Sequence, residues 1–207
     1  MQIQKPRQDL LNAQQTLKYL QEFLLQPGPE TTPPCPGCVD HSAARCSNLC
    51  PDVKTALSID PVNFPIENNV VPLVYGLMST HMAQTCWSCE GHMDVNDNLI
   101  KTPRVSFYTS SPVYSQLLHR HLTKLMMDRK LAYPWHVILS DYAQTWGVTY
   151  SIVPDLTFVN QDVRLGQLQN DLKVISDQLQ ESMKVIAREM IIELDAWLGQ
   201  QQAVGQA

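Results

Sequence analysis

RVSFYTSSPVYSQLLHRHLTKLM, running from Arg104 to Met126, holds the order of elements on which the fold turns. Its first six residues alternate, with Val105 and Phe107 set against polar neighbours, which is the two-residue period of a strand with one face buried. Ser110-Ser111-Pro112 then reads as a helix start, with a serine placed to cap the first free N–H groups and a proline in the first turn. Beyond it Val113, Leu117, Leu118, Leu122, Leu125 and Met126 fall on one side of a helix that stops before Pro134. A strand feeding an amphipathic helix predicts a sheet with a helix laid across it.

Working outward, Trp135–Leu139 and Gly147–Val153 are rich in β-branched and aromatic residues and predict two strands paired across a loop. Asp141, Tyr142 and Trp146 border that loop and are candidates for a pocket lining or for half-buried hairpin aromatics. Upstream, Thr85–His92 reads as extended, and Met93–Lys101, with Asp94, Asn96, Asp97 and Asn98, has the composition of a turn. Pro72 suits the first turn of a helix with Val74, Leu77 and Met78 inward, and His81 near its end reads as a cap. The order helix, strand, strand, helix, strand, strand predicts an α+β fold, a small mainly antiparallel sheet with helices on one face.

Two further segments flank this core. From Gln8 to Leu25, leucines at steps of three and four predict an amphipathic helix that Gln26-Pro27-Gly28-Pro29 ends. From Asp162 to about Leu198 there is no proline, and apolar residues from Leu165 to Trp197 recur at nearly heptad spacing with one extra four-residue step near Met183. One helix over that span would be about 50 Å long, more than a domain of this size can cover. The sequence therefore predicts that Ile186, Met190, Leu194 and Trp197 meet a partner, most simply a second copy, and that truncation after about Ser182 leaves a soluble monomer. The expected divisions are a helix and Pro-rich linker over 1–34, a Cys-rich metal-binding loop over 35–60, the α+β core domain over 61–160, and a long C-terminal helix over 161–207.

Composition bounds the function. Hydrophobic residues make up 44% and charged residues 17% of the chain, with a formal net charge of −5. That balance suits a folded protein and disfavours general nucleic-acid binding, which needs a basic face to displace counterions. His119-Arg120-His121 with Lys124, Arg129 and Lys130 is the one local basic candidate, and a solvated helix face explains it more simply. No apolar run approaches the ~20 residues of a membrane span, and the start, Met1-Gln2-Ile3-Gln4-Lys5-Pro6-Arg7, lacks the apolar stretch of a secretory signal. A cytoplasmic location is expected.

The six cysteines are Cys35, Cys38, Cys46, Cys50, Cys86 and Cys89. Each lies within four residues of another, a clustering that metal ligation requires and that structural disulfides in a reducing compartment do not explain. Cys35-Pro-Gly-Cys38 is a tight turn, and Cys46-Ser-Asn-Leu-Cys50 runs directly into Pro51. Written out, this is C-x2-C-x7-C-x3-C-P, which resembles a ferredoxin-type iron–sulfur cysteine run with a lengthened middle spacing. The likeness covers the seventeen residues from Cys35 to Pro51. It implies a 4Fe-4S cluster on Cys35, Cys38, Cys46 and Cys50. In two-cluster ferredoxins the fourth cysteine serves the other cluster, so here Cys50 turns inward or Cys86 or Cys89 completes the set. Four thiolates in two short-spaced pairs also suit a structural zinc, and that alternative stays open. His41 within the run reads as a loop histidine. A zinc-deaminase reading of Pro34-Cys35-x-x-Cys38 fails for want of an upstream H-x-E.

Cys86-Trp87-Ser88-Cys89 followed by Glu90-Gly91-His92 is a separate signal. Cys86, Cys89 and His92 form a C-x2-C-x2-H set that could bind a metal or complete the first site. The same pair could instead be a redox dithiol or simply small buried residues in a strand. Haem attachment is excluded because Glu90, not histidine, follows the second cysteine. Three functions remain: a cluster protein with a redox, sensing or accessory role, a zinc-stapled adaptor, or a thiol oxidoreductase using Cys86 and Cys89.

Overall fold

The structure, a computed structural model, describes residues 7–27, 58, 60, 62–143, 147–157, 159 and 162–204. The four cysteines from Cys35 to Cys50 lie outside these residues, as do His41 and Trp146.

The elements of the described residues follow in order: α1 (Arg7–Leu24), α2 (Val71–Ser79), β1 (Ala83–Cys89), β2 (His92–Met93), β3 (Leu99–Lys101), β4 (Arg104–Thr109), α3 (Pro112–Met127), β5 (Trp135–Ala143), β6 (Gly147–Pro154), α4 (Leu165–Ser176) and α5 (Leu179–Val204). The decisive stretch forms strand β4 and helix α3 as its pattern predicts. Ser111 is the N-cap, accepting from the Val113 N–H at 3.3 Å, and Pro112 follows it in the first turn. Four strands pair antiparallel in the order β1-β4-β6-β5, and β2 and β3 make a separate small hairpin. Asp94 closes that hairpin by accepting from the backbone N–H groups of Asn96 and Asn98, both at 2.8 Å. A bond from the Asn98 side-chain amide, more than these two backbone bonds, holds its carboxyl below the ordinary value.

The fold is α+β with a long C-terminal helix. Alternation sends Val105, Phe107 and Ile152 into the core, where they meet Leu117, Leu118 and Leu122 of α3. Phe107 and Tyr150, paired across β4 and β6, stack with centroids 5.9 Å apart. The opposite parity places Ser106, Ser151 and Ile138 in one cross-strand row. The Ser106 and Ser151 hydroxyls meet at 2.7 Å, and Ser140 also bonds to Ser151.

The tail departs from a single continuous helix. Asp177 is extended and Gln178 has a φ of 49°, so the chain breaks between α4 and α5. The break falls just before the extra four-residue step in the apolar pattern. It lets α4 lie against α2 while α5 runs along α1 and α3. The 26 residues of α5 span about 39 Å. Of the residues expected to face a second copy, Ile186 and Met190 are buried with Met183 and Ala187 in one core with Leu20 and Phe23 of α1, and Leu194 packs against that core half-buried. Helix α1 is also fastened at its C-terminal end. Gln180 Nε2 donates to the Pro27 carbonyl at 2.8 Å, and Lys184 Nζ donates to that of Gln26 at 3.1 Å. A cation here suits the partial negative charge of a helix C-terminus.

Two buried polar side chains tie the layers. The Asp171 carboxylate on α4 accepts from the backbone N–H of Ala132 at 2.8 Å and of Tyr133 at 3.1 Å, and from Trp135 Nε1 at 3.0 Å. His121 on α3 contacts Ser182 Oγ at 2.8 Å and the Ile175 carbonyl at 3.0 Å. Its neighbour His119 is exposed and stacks on His136. Among the described residues no helix is long and apolar enough to cross a membrane.

Candidate metal centre at the end of strand β1

The C-x2-C pair sits in strand β1, and a bulge decides where its thiols go. Thr85 pairs with Phe107 and Ser88 with Val105, so both belong to the inward parity, whereas Trp87 pairs with Ser106 and Cys89 with Arg104. Cys86 is the extra residue, opposed by no partner of its own. Strict alternation would put positions three apart on opposite faces. The inserted residue resets the phase, bringing Cys86 to the side of Trp87 and Cys89, where it hydrogen-bonds with Tyr108.

The two thiols share a side but not a site. Three extended residues separate their Cα atoms by roughly 10 Å, beyond the separation a disulfide bridges, about 7 Å at most. Cys86 is exposed and Cys89 is buried. Desolvation of the Cys86 sulfur pushes its thiol above the ordinary value, against the pull of the Tyr108 hydrogen bond. A redox dithiol needs the opposite shift, so the strand geometry and the thiol both weigh against that reading.

Cys89 has other company. Its sulfur, a carboxylate oxygen of Glu67 and a ring nitrogen of His92 all lie within 4.8 Å of one another. The structure therefore brings together Cys89 and His92 of the predicted set, leaves Cys86 out, and adds Glu67. No spacing pointed to Glu67, which lies in the loop before α2 and meets β1 only through tertiary folding.

The group is held by its surroundings. His92 Nε2 stands 3.0 Å from Glu67 Oε1. The other Glu67 oxygen accepts from the Glu90 backbone N–H at 2.6 Å, so the carboxylate is oriented from behind. In return the Glu90 carboxylate accepts from the Asn69 N–H at 2.7 Å, and its carbonyl accepts from Gln169 of α4 at 3.2 Å. Between Cys89 and His92 the chain turns at Gly91, whose φ is +85°. A Cβ there would sit 2.7 Å from Leu165 Cδ1 and 2.8 Å from Pro103 Cδ, so glycine answers both the dihedral and the space. The His92 and Glu67 side chains keep 42% and 33% of their exposure. One side of the group is thus open to solvent, and Cys89 closes the other.

No protein-family model, no curated protein and no solved structure matches the chain.

Proposed function

We propose that this is a cytoplasmic metal-binding protein whose run from Cys35 to Cys50 carries an iron–sulfur cluster in a redox, sensing or accessory role. One observation carries the reading: four cysteines spaced C-x2-C-x7-C-x3-C with proline directly after the last. Short spacings let one loop direct four thiolates at a common point, and the C-x3-C-P ending is that of the ferredoxin-type run. A structural zinc on the same four thiolates is the second reading, since two short-spaced cysteine pairs supply a tetrahedral set and Pro36 and Gly37 suit a zinc knuckle as well as a cluster loop.

Anaerobic purification followed by assay of iron, zinc and labile sulfide separates the two. A cluster absorbs broadly in the visible and bleaches on reduction, whereas zinc is silent. Cys35→Ser, Cys38→Ser, Cys46→Ser and Cys50→Ser are each expected to lower the bound metal sharply. Wild-type metal content in all four variants would overturn both readings. A homodimer through the C-terminal half of α5 is also part of the proposal, and Val185 and Ile192 stay exposed on that helix while Met183, Ile186 and Met190 are buried.

A further inference from the structure

We propose that Glu67, Cys89 and His92 form a second, mononuclear metal site of the zinc class, separate from the Cys35–Cys50 run and open at one coordination position. This inference does not rest on the reading of that run. The donor set is one thiolate, one imidazole and one carboxylate. Thiolate and imidazole together select zinc and similar borderline ions over calcium or magnesium. Bond lengths of about 2.0–2.3 Å place tetrahedral ligands about 3.3–3.8 Å apart. The three ligand atoms, all within 4.8 Å of one another, need to close by about 1.5 Å at most. The half-exposed Glu67 and His92 side chains can make that movement while the backbone stays in place.

The supports behind the ligands distinguish the group from a chance surface ion pair. The Glu90 N–H fixes the outer oxygen of Glu67, the kind of bond that orients a ligating carboxylate. Gly91 forces the turn that returns His92 over Cys89, and Asn69 and Gln169 lock the residue between them. Binding would release the Cys89 thiol proton to solvent, so uptake should weaken as pH falls. Three protein ligands with solvent on the fourth side is the arrangement of zinc sites that bind water or an exchangeable small ligand, whereas structural sites are closed by four. Cys86, roughly 10 Å along the strand, takes no part.

The test titrates cobalt(II) and zinc(II) into the full-length protein, reduced and free of oxygen, and follows three readouts. These are the equivalents bound, the near-ultraviolet thiolate-to-cobalt absorption, and the visible spectrum of any cluster. Cys89→Ser should abolish one equivalent together with its thiolate absorption. His92→Gln and Glu67→Gln should weaken that equivalent by at least about tenfold, and Cys86→Ser should leave it unchanged. His92 is half-exposed, so His92→Gln keeps the test decisive even if Cys89→Ser fails to fold. Wild-type stoichiometry and affinity in His92→Gln and Glu67→Gln would overturn the proposal, as would loss of the equivalent in Cys86→Ser alone. The cluster spectrum reports separately: its absence would count against the proposed function and leave this site standing.

Discussion

A single carboxylate on α4 satisfies three donors from the segment that leads into β5. Asp171 is 1% exposed, and its loss would strand the Tyr133 backbone N–H and the Trp135 Nε1–H in the interior and take the acceptor from the Ala132 N–H at its edge. Asp171→Ala is therefore expected to destabilise the fold by about 2–4 kcal/mol, read as a lower denaturation midpoint with an unchanged slope. His121 acts through its neutral form. Burial lowers its pKa, the nearby charges of Lys124 and Lys130 add to that, and the bond to the Ile175 carbonyl opposes it. The unfolded chain then binds a proton more readily than the native one. Stability from this group is complete above its ordinary value of 6.5 and is lost as pH falls towards the lowered value. Thermal melts from pH 7.5 to pH 5 should show a steep decline that flattens in His121→Gln. Helical spacing already separates His119 from His121, which stand two residues apart and point different ways. That His121 is the inward one, and what it bonds, depends on α4 and α5 and could not be read locally.

The elements with a strong period were the legible ones. Strand β4, helix α3 and the β5–β6 pair follow from alternation, a capping serine and β-branched runs, all features of adjacent residues. The β1 bulge and the break at Asp177–Gln178 left weaker marks, because both answer to packing partners distant in sequence. The bulge is set by register against β4, and the break lets two helical segments face different neighbours. Candidate ligands divided in the same way: Cys89 and His92 are legible as a short spacing, whereas Glu67 arrives from another loop. Gly91 joins these levels. Gly91→Ala would meet Leu165 and Pro103 at under 3 Å in a left-handed turn. A loss of about 1–3 kcal/mol is expected, measurable by urea unfolding, and the change should also weaken metal uptake at Glu67, Cys89 and His92.

At the scale of the molecule, one core unites residues from both ends of the chain. Leu20 and Phe23 of α1, Leu73 and Val74 of α2, and Met183 and Ile186 of α5 belong to the same cluster. Truncation after Ser182 therefore removes Met183, Ile186, Ala187 and Met190 from the interior, contrary to the tidy monomer that the heptad pattern suggested. Such a fragment should aggregate or lose cooperative melting, and light scattering with circular dichroism would reveal either. The pattern itself was sound, but periodicity shows that a stripe must be covered without saying by what. The same clasp has a consequence in time. Helix α1 rests mainly on α5 and lightly on α3, with no strand among its chief neighbours. The two helices lie about as far apart in sequence as the chain permits. Closing so long a loop is slow and entropically unfavourable, so α1 should join late in folding and open as its own small cooperative unit. Hydrogen exchange by mass spectrometry should find the α1 amides far less protected than those of β4 and β6. Each such opening would bare Met183, Ile186 and Met190 for a moment, making aggregation a property of a native protein that has briefly lost its first helix.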